Sequence, residues 1–435
     1  MTTENQPWAV TGNGRRARIQ ILAALAALVM VSFYLTGCLS SEAGHVTPTP
    51  TKTARPVNIA VLPTNTPTPR LPQSTPPTAT LTPTAPVATD TPTSIPEPTQ
   101  SLTPTVTPWP TFGPDTCPLT GLQVSDPALL QRRPLAIKVQ NAGLSRPQYG
   151  LPQADIVYEH LSEAAITRFT AIYLCQNVDR IGSVRSARFI DLEIPAMYKS
   201  LMAFSGTSPG LYPKFKEADF REREFWYDQG IHSEAFFRDT KLRAQGLPIE
   251  HTLFATPSKV WDIADKLGIN QPQDLQGMTF AYDVPSDGQP GTNIDIPYPN
   301  REMVVNYRYD PKNEVYLRSQ GGDPFLDAPS GEQISVTNVV LVYVPHVDAD
   351  FYEDYPRTNW PSVQVQLWGS GPAVIFRDGQ AFEGLWARPK RDDMLVFRDK
   401  TGQVPIPLKP GNTWIQVIPV PPHKWAFKAS WSGEE

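Results

Sequence analysis

The segment RIGSVRSARF at 180–189 carries three arginines, two serines and one glycine among apolar residues. The guanidinium groups of Arg185 and Arg188 can each form two parallel hydrogen bonds with a carboxylate or a phosphate. Gly182 lets the backbone approach a ligand closely, and Ser186 supplies a small hydroxyl donor. The pattern therefore predicts a site for an anionic ligand, with a partly buried structural ion network as the alternative.

Carboxylates that could pair with these arginines lie upstream in the chain. Glu159 and Glu163 precede Arg168, and carboxylates on neighbouring strands can pair with arginines. Two such carboxylates could also act as a general acid and base. A cleft that joined both glutamates to Arg185 and Ser208 would favour an enzyme, whereas a closed network of paired charges would favour binding elsewhere.

Ser208 lies in GTSPG at 206–210, which has the G-x-S-x-G spacing of a hydrolase nucleophile elbow. That elbow uses the backbone N–H after the serine as an oxyanion donor, and here the next residue is Pro209, which has no N–H. We therefore predict no catalytic residue and keep Ser208 as a ligand-binding candidate. The sequence has neither H-x-x-x-H nor C-x-x-C, so we predict no metal site and no cofactor.

The N-terminus has the layout of a secretory signal. Three arginines within 15–18 precede an apolar stretch over 19–35, which closes with LTGC at 35–38. This ending resembles a bacterial lipobox, in which the cysteine becomes the lipid-bearing N-terminus. We therefore predict a signal peptide over 1–37 and lipidation of Cys38, with a plain transmembrane anchor as the alternative.

A long segment rich in proline and threonine follows, with runs such as TNTPTP and TATLTPTAP. Proline prevents helix and sheet from propagating, and too few apolar side chains are present to offset the entropy of ordering. We predict a disordered stalk over 38–115, extended and solvated. The formal net charge of the whole chain is -5, which excludes a general nucleic-acid binder, because such proteins carry a basic excess.

The body after the stalk is predicted in two parts. The first, over 116–272, mixes strands with the helix TPSKVWDIADKLG at 256–268, which indicates an α+β or α/β domain. A connector over 273–299 leads to a mostly antiparallel β domain over 300–425, with Asp378-Gly379 as a hairpin turn.

Two cysteines lie in the first part of the body. In an exported, oxidised chain Cys117 and Cys175 could form a disulfide, or they could remain two buried free thiols.

Motifs in both parts resemble the YerB-like bacterial lipoproteins, which have paired N- and C-terminal domains of unknown function. In the first part these motifs are PLTGL (118–122), QN (140–141), RPQYGLPQADIVYEHLSE (146–163), TRFTAIY (167–173), IGSVRSAR (181–188) and SGTS (205–208). In the second part they are YLRSQGGDPFLD (316–327), NVVLVYV (338–344), FRDGQAFEGLW (376–386) and LKPGNTWIQVIP (408–419). The resemblance covers nearly the whole body and implies an envelope lipoprotein without an established activity.

Together these observations predict an extracytoplasmic lipoprotein held on a bacterial cell membrane through its N-terminal lipid. We expect it to bind or scaffold a cell-wall glycan, a peptide or an envelope protein; the alternative is an envelope hydrolase or transferase that acts on wall material. The candidate ligand-binding residues are Asn141, Glu159, Glu163, Arg168, Arg185, Ser186, Arg188 and Ser208.

Overall fold

The computed structural model describes residues 113–354 and 356–433. The predicted signal peptide (1–37), Cys38 and all but the end of the predicted stalk (38–115) lie outside the described residues. Among the residues that the structure does describe, no helix is both long and apolar enough to cross a bilayer.

Short strands make up most of the regular structure. The strands, numbered along the chain, are β1 (Leu135–Gln140), β2 (Ile156–Leu161), β3 (Thr167–Tyr173), β4 (Ile181–Gly182), β5 (Leu201–Phe204), β6 (Glu224–Trp226), β7 (Phe236–Arg238), β8 (Leu253–Ala255), β9 (Gln289–Pro290), β10 (Asn293–Ile296), β11 (Val305–Asp310), β12 (Val315–Gln320), β13 (Asp323–Pro324), β14 (Ser335–Val336), β15 (Asn338–Val344), β16 (His346–Tyr352), β17 (Pro361–Val365), β18 (Gly369–Arg377), β19 (Gln380–Arg388), β20 (Val396–Arg398), β21 (Thr413–Pro419) and β22 (Ser430–Ser432).

Helices are few and short. The α-helices are α1 (Ile194–Met197), α2 (Tyr212–Lys216), α3 (Thr240–Ala244) and α4 (Pro257–Lys266). Single 3-10 turns occupy Pro127–Gln131, Gly143–Ser145, Glu163–Ala165, Phe189–Leu192, Arg221–Arg223, Tyr227–Gln229, Ser233–Ala235, Ile249–His251 and Arg301–Met303.

Local sequence signals account for several of these elements. The chain turns at Ser162–Ala165 between β2 and β3, which pair antiparallel. The predicted helix is present as α4, with Pro257 in its first turn and Gly268 beyond its end at φ +72. Asp378 and Gly379 both have positive φ and join β18 to β19, as a type I′ hairpin turn requires.

One large mixed sheet contains strands from both predicted parts of the body. Its order is β20-β19-β18-β15-β21-β2-β3-β1-β5-β6, with β9 paired to β19. Strand β21, near the end of the chain, lies between β15 and β2 and is parallel to both. The segment 273–299 therefore joins two stretches of sequence that share a sheet, rather than two separate sheets.

Both faces of the large sheet are covered by apolar cores. Along β15, Val339 and Leu341 belong to one core, whereas Val340 and Val342 belong to the other. A strand buried on both faces reads as a continuous apolar run, which explains the sequence NVVLVYV. A six-stranded sheet, β13-β12-β11-β10-β22 with β14 on β12, contributes to the first core.

The N-terminal half brings three parallel strand ends together. Strand β1 is parallel to β5, and β5 is parallel to β6. The segment 183–188 lies beside the end of β1, where Arg185 N donates to Lys138 O at 3.0 Å. The loop after β5 lies against the same segment, because Ser205 N donates to Arg185 O at 3.0 Å. The segment therefore lies alongside the C-terminal half of β1, next to the loop that follows β5.

Candidate functional site

The candidate residues lie on opposite faces of the large sheet, because side chains alternate along each strand. Glu159 projects to the same face as Val157 and Leu161, which belong to the first core. Arg168 projects to the face of Ile172, which belongs to the second core. The charged residues therefore form two separate networks rather than one cleft.

The first network surrounds Glu159, which is fully buried. Its Oε2 accepts hydrogen bonds from Arg318 Nη2 at 2.8 Å and Gln416 Nε2 at 3.1 Å. Its Oε1 accepts from Thr167 Oγ1 at 2.7 Å and from Asn141 Nδ2 at 3.2 Å. The carboxylate of Glu159 and the amide nitrogen of Asn141 thus have hydrogen-bond partners within the protein.

Arg318 is the cation of this network, and it is also fully buried. Its guanidinium lies 4.0 Å from the ring centre of Phe325, 5.1 Å from Trp414 and 5.5 Å from Phe169. A desolvated cation over aromatic faces is stabilised by the ring quadrupoles as well as by its carboxylate. The sequence analysis did not predict a role for Arg318. Its position could have indicated one, because buried and part-exposed residues alternate along β12 and Arg318 falls on the buried side with Tyr316 and Gln320.

The second network surrounds Glu163. Arg188 contacts it through two hydrogen bonds, Nη2 to Oε1 at 2.7 Å and Nε to Oε2 at 2.8 Å. Arg168 also donates to Glu163, and Arg188 forms a further ion pair with Glu353 Oε2 at 3.1 Å. Glu353, which the sequence analysis did not predict here, comes from the segment after β16.

The protonation of this network follows from burial and mutual charge. Burial would raise the pKa of Glu163, but Arg168 and Arg188 hold it well below its usual value. Burial and the neighbouring Arg188 lower the pKa of Arg168 to about 9. For Arg188, the two glutamates overcome the effect of burial and raise the pKa above its ordinary value. Glu163, Arg168 and Arg188 are therefore all charged at neutral pH.

The buried Lys138 contacts Asp191, which in turn holds the segment 183–188, here called the arginine segment. Lys138 Nζ forms an ion pair with Asp191 at 2.8 Å, and both side chains are inaccessible to solvent. Asp191 Oδ2 accepts from the backbone N–H of Arg188 at 2.6 Å, and Oδ1 accepts from Thr170 Oγ1 at 2.6 Å. Burial is the largest influence on Lys138 and lowers its pKa to about 8. In the sequence, a lysine inside the mostly apolar strand LAIKVQ indicates a buried cation that needs a carboxylate partner such as Asp191.

Arg185 differs from its neighbours. It is only partly exposed, yet within the described residues its side chain makes no hydrogen bond and no ion pair with a carboxylate. Burial lowers the pKa of Arg185, and the neighbouring charge of Arg188 lowers it further. Ser186 lies next to it, with its Oγ 3.4 Å from Ser205 Oγ on the adjacent loop. Glu163, Glu250 and Asp228 act in the opposite direction and raise the pKa of Arg185. Arg185 is therefore a partly desolvated cation that no carboxylate in the described part of the chain contacts directly.

Ser208 is buried, and its Oγ has no hydrogen-bond partner among the residues described. The nucleophile-to-histidine contact of a hydrolase elbow is thus not formed at Ser208 in this part of the chain. The adjacent Thr207 Oγ1 is likewise buried without a partner. These two hydroxyls follow directly on Ser205 and Gly206, which contact the arginine segment through backbone hydrogen bonds.

Cys117 and Cys175 are joined in a disulfide, with their Cα atoms 6.0 Å apart. Asp155 lies close to the pair, and its Oδ2 accepts from the backbone N–H groups of Leu174 at 2.6 Å and Cys175 at 3.0 Å. Burial raises the pKa of Asp155 to about 6. Since both sulfurs are bonded to each other, this group of residues offers no thiolate to a metal ion.

Both parts of the body match the two domains of one known protein family. Residues 119–270 match the family described as "Protein of unknown function (DUF3048) N-terminal domain", and residues 294–415 match the corresponding C-terminal domain. "Putative lipoprotein YerB" of Bacillus subtilis (strain 168) is 29% identical over 309 residues, which cover 69% of this chain and 86% of that protein. The crystal structure of the YerB protein from Bacillus subtilis matches with a TM-score of 0.59 and 27% identity, over 70% of this chain and 97% of that chain.

Proposed function

The chain belongs to the YerB-like family with paired domains of unknown function, and we propose that it is a binding lipoprotein for an anionic ligand of the cell envelope. In this proposal Cys38 carries the lipid and anchors the chain to the outer face of the bacterial cell membrane. The Pro/Thr-rich stalk separates the anchor from the body. Support comes from the LTGC ending and from the lipoprotein name of the relative.

The observation that carries the binding proposal is the unpaired charge of Arg185. Its neighbours Arg168 and Arg188 are paired by Glu163 and Glu353, whereas Arg185 has no carboxylate partner within the described residues. A partly desolvated cation is costly unless an anion compensates it. An incoming carboxylate or phosphate would supply that compensation, and the guanidinium fork suits either group.

The position of Arg185 supports the same proposal. It lies in the segment alongside the C-terminal half of β1, and the loop after β5 contacts this segment. The neighbouring Ser186 offers a hydroxyl for a second contact. The ion pairs around Glu163 hold this segment in place. The side chain of Arg188 donates to Glu163, and its backbone N–H donates to Asp191.

Binding of solubilised cell-wall fragments to the full chain tests this proposal. We expect Arg185→Ala to weaken retention of the fragments by about tenfold or more, the usual range for a charge-assisted hydrogen bond. Arg185→Lys should lose most of the same affinity, because lysine keeps the charge but not the planar fork. Arg357→Ala is the matched control, since this arginine is largely exposed and its removal changes the net charge equally.

Two outcomes would count against the proposal. Retention of acidic wall fragments by Arg185→Ala at the wild-type level would show that the unpaired arginine is not part of a binding site. An equal loss in Arg185→Ala and Arg357→Ala would show that only the net charge matters. A circular dichroism spectrum and melting curve of each variant establish that the fold is retained.

A further inference from the structure

A small cavity lies next to the segment that carries Arg185, and Ser183 of that segment is part of its wall. It has a volume of about 210 Å³. Its walls come from the loop around Pro147, from Ser183 after β4, and from the chain between α3 and β8. The lining residues used below are Leu144, Arg146, Ser183, Leu247, His251 and Phe254.

Polar groups in the wall of this cavity are left without protein partners. Ser183 and His251 are more than nine-tenths buried, and neither Ser183 Oγ nor His251 Nδ1 has a hydrogen-bond partner in the described part of the chain. Buried polar atoms are paired in the great majority of cases, so two unpaired atoms in one small cavity indicate a missing partner. Arg146 Nε, in the same wall, is a third buried atom without a partner.

The charge of the cavity is positive. Arg146 Nη2 donates to the backbone carbonyls of Asn141 at 3.1 Å and Glu302 at 3.2 Å. Burial and then the charge of Arg318 lower the pKa of Arg146, whereas Glu159, Glu302 and Asp323 act in the opposite direction. No carboxylate within residues 113–354 and 356–433 forms an ion pair with Arg146. Burial lowers the pKa of His251, and the nearby Arg185 lowers it further, so its ring is neutral at pH 7. The site therefore presents one permanent cation with a hydroxyl and a neutral imidazole.

The rest of the wall is apolar, with Leu144, Leu247 and Phe254 among the lining residues. The volume is below the roughly 300–1,000 Å³ of sites for drug-sized ligands, so the cavity suits a terminal group or a very small molecule. We propose that it binds a small carboxylate with an apolar side chain, such as the free C-terminal residue of a peptide. The carboxylate would contact Arg146, Ser183 and His251, and the side chain would pack against the leucines. Arg185 is not among the lining residues of this cavity, although its charge acts on His251, so the two proposed sites are neighbours with different contact residues.

Titration of the full chain with N-acetyl-leucine tests this assignment, with N-acetyl-leucinamide and inorganic phosphate as comparison probes. We expect saturable binding of N-acetyl-leucine. The neutral amide should bind at least about tenfold more weakly, because it cannot compensate the charge of Arg146. Inorganic phosphate should also bind more weakly than N-acetyl-leucine, because it has no side chain for the apolar wall.

Two variants separate binding from folding. Ser183→Ala removes one donor and should weaken binding of N-acetyl-leucine about tenfold. Leu144→Trp enlarges a wall residue that is 64% exposed, so the fold should be retained while the cavity is filled. Ser258→Ala, an exposed serine in α4, is the matched control and should bind as the wild type does.

Three results would overturn the proposal. One is the lack of saturable N-acetyl-leucine binding to the wild-type chain. Another is unchanged binding in the folded Leu144→Trp variant, which would place the ligand elsewhere. The third is binding of phosphate that equals or exceeds that of N-acetyl-leucine, because a general anion site has no need of the apolar wall.

Discussion

Replacing Arg188 by alanine should destabilise the body strongly, whereas the same change at Arg185 should not. Arg188 makes two hydrogen bonds with Glu163, at 2.7 and 2.8 Å, and an ion pair with Glu353 at 3.1 Å. Its removal takes away the ion-pair partner of Glu353, whose side chain is 2% exposed, and leaves only the more distant charge of Arg168 to act on it. It also leaves Glu163 with Arg168 alone.

The expected magnitude follows from the burial of these charges. Removing one partner of a buried ion pair costs about 3–5 kcal/mol, mainly because the other charge is left uncompensated. Relief of the repulsion between Arg168 and Arg188 offsets part of this cost, so we expect about 3 kcal/mol in the free energy of unfolding. For a body of this size that corresponds to a fall of about 4–6 °C in the melting temperature.

Thermal unfolding followed by near-ultraviolet circular dichroism, with urea unfolding beside it, measures both quantities. Arg188→Lys should recover little of the loss, because lysine cannot make the paired hydrogen bonds with Glu163. Arg185→Ala is the matched control, and its melting temperature should lie within about 2 °C of the wild type. If Arg188→Ala melts as the wild type does, or if Arg185→Ala is equally destabilised, the distinction between a paired and an unpaired arginine is wrong.

Three further predictions concern the anchor, the disulfide and a buried acid. Cys38→Ser should abolish lipidation, and mass spectrometry of the wild-type mature chain without lipid on Cys38 would contradict the lipobox assignment. Replacing both Cys117 and Cys175 by serine should cost about 4 kcal/mol in the entropic account, since 58 positions separate them; equal urea midpoints for this variant and the wild type would contradict it. The raised pKa of Asp155, about 6, implies a stabilisation that is full below pH 4 and lost as pH rises to 6, on the order of 3 kcal/mol. Asp155→Asn should remove that dependence from urea unfolding measured across this range.

Local elements could be predicted from the sequence where one short signal determines them. Strand β1 is mostly apolar, with Lys138 and Gln140 as its polar residues. Helix α4 begins at a proline after Thr256 and ends before Gly268. The hairpin at Asp378-Gly379 needs two residues with positive φ, a requirement that an Asp-Gly pair meets readily. In each case the chemistry that determines the structure lies within a few residues.

The partners of the charged residues could not be predicted in the same way. Glu159 is paired with Arg318, 159 positions away, and hydrogen-bonded to Gln416, 257 positions away. The register that brings these side chains together depends on the order of strands in two sheets, which local patterns do not specify. The arginine segment could be recognised from its composition, but only the structure shows that Arg185 is the unpaired member.

The place of β21 in the large sheet has a consequence for export. This strand occupies Thr413–Pro419, close to the end of the chain, yet it joins β15 to β2 in the middle of the sheet. In the proposed export the chain crosses the membrane from its N-terminus, so β21 arrives after every other strand of the large sheet. Until then β15 and β2 each have an open edge, and open edges invite pairing with other chains. A truncation before residue 413 would leave both edges unpaired for good, and such a protein should aggregate after translocation rather than persist as a folded N-terminal domain.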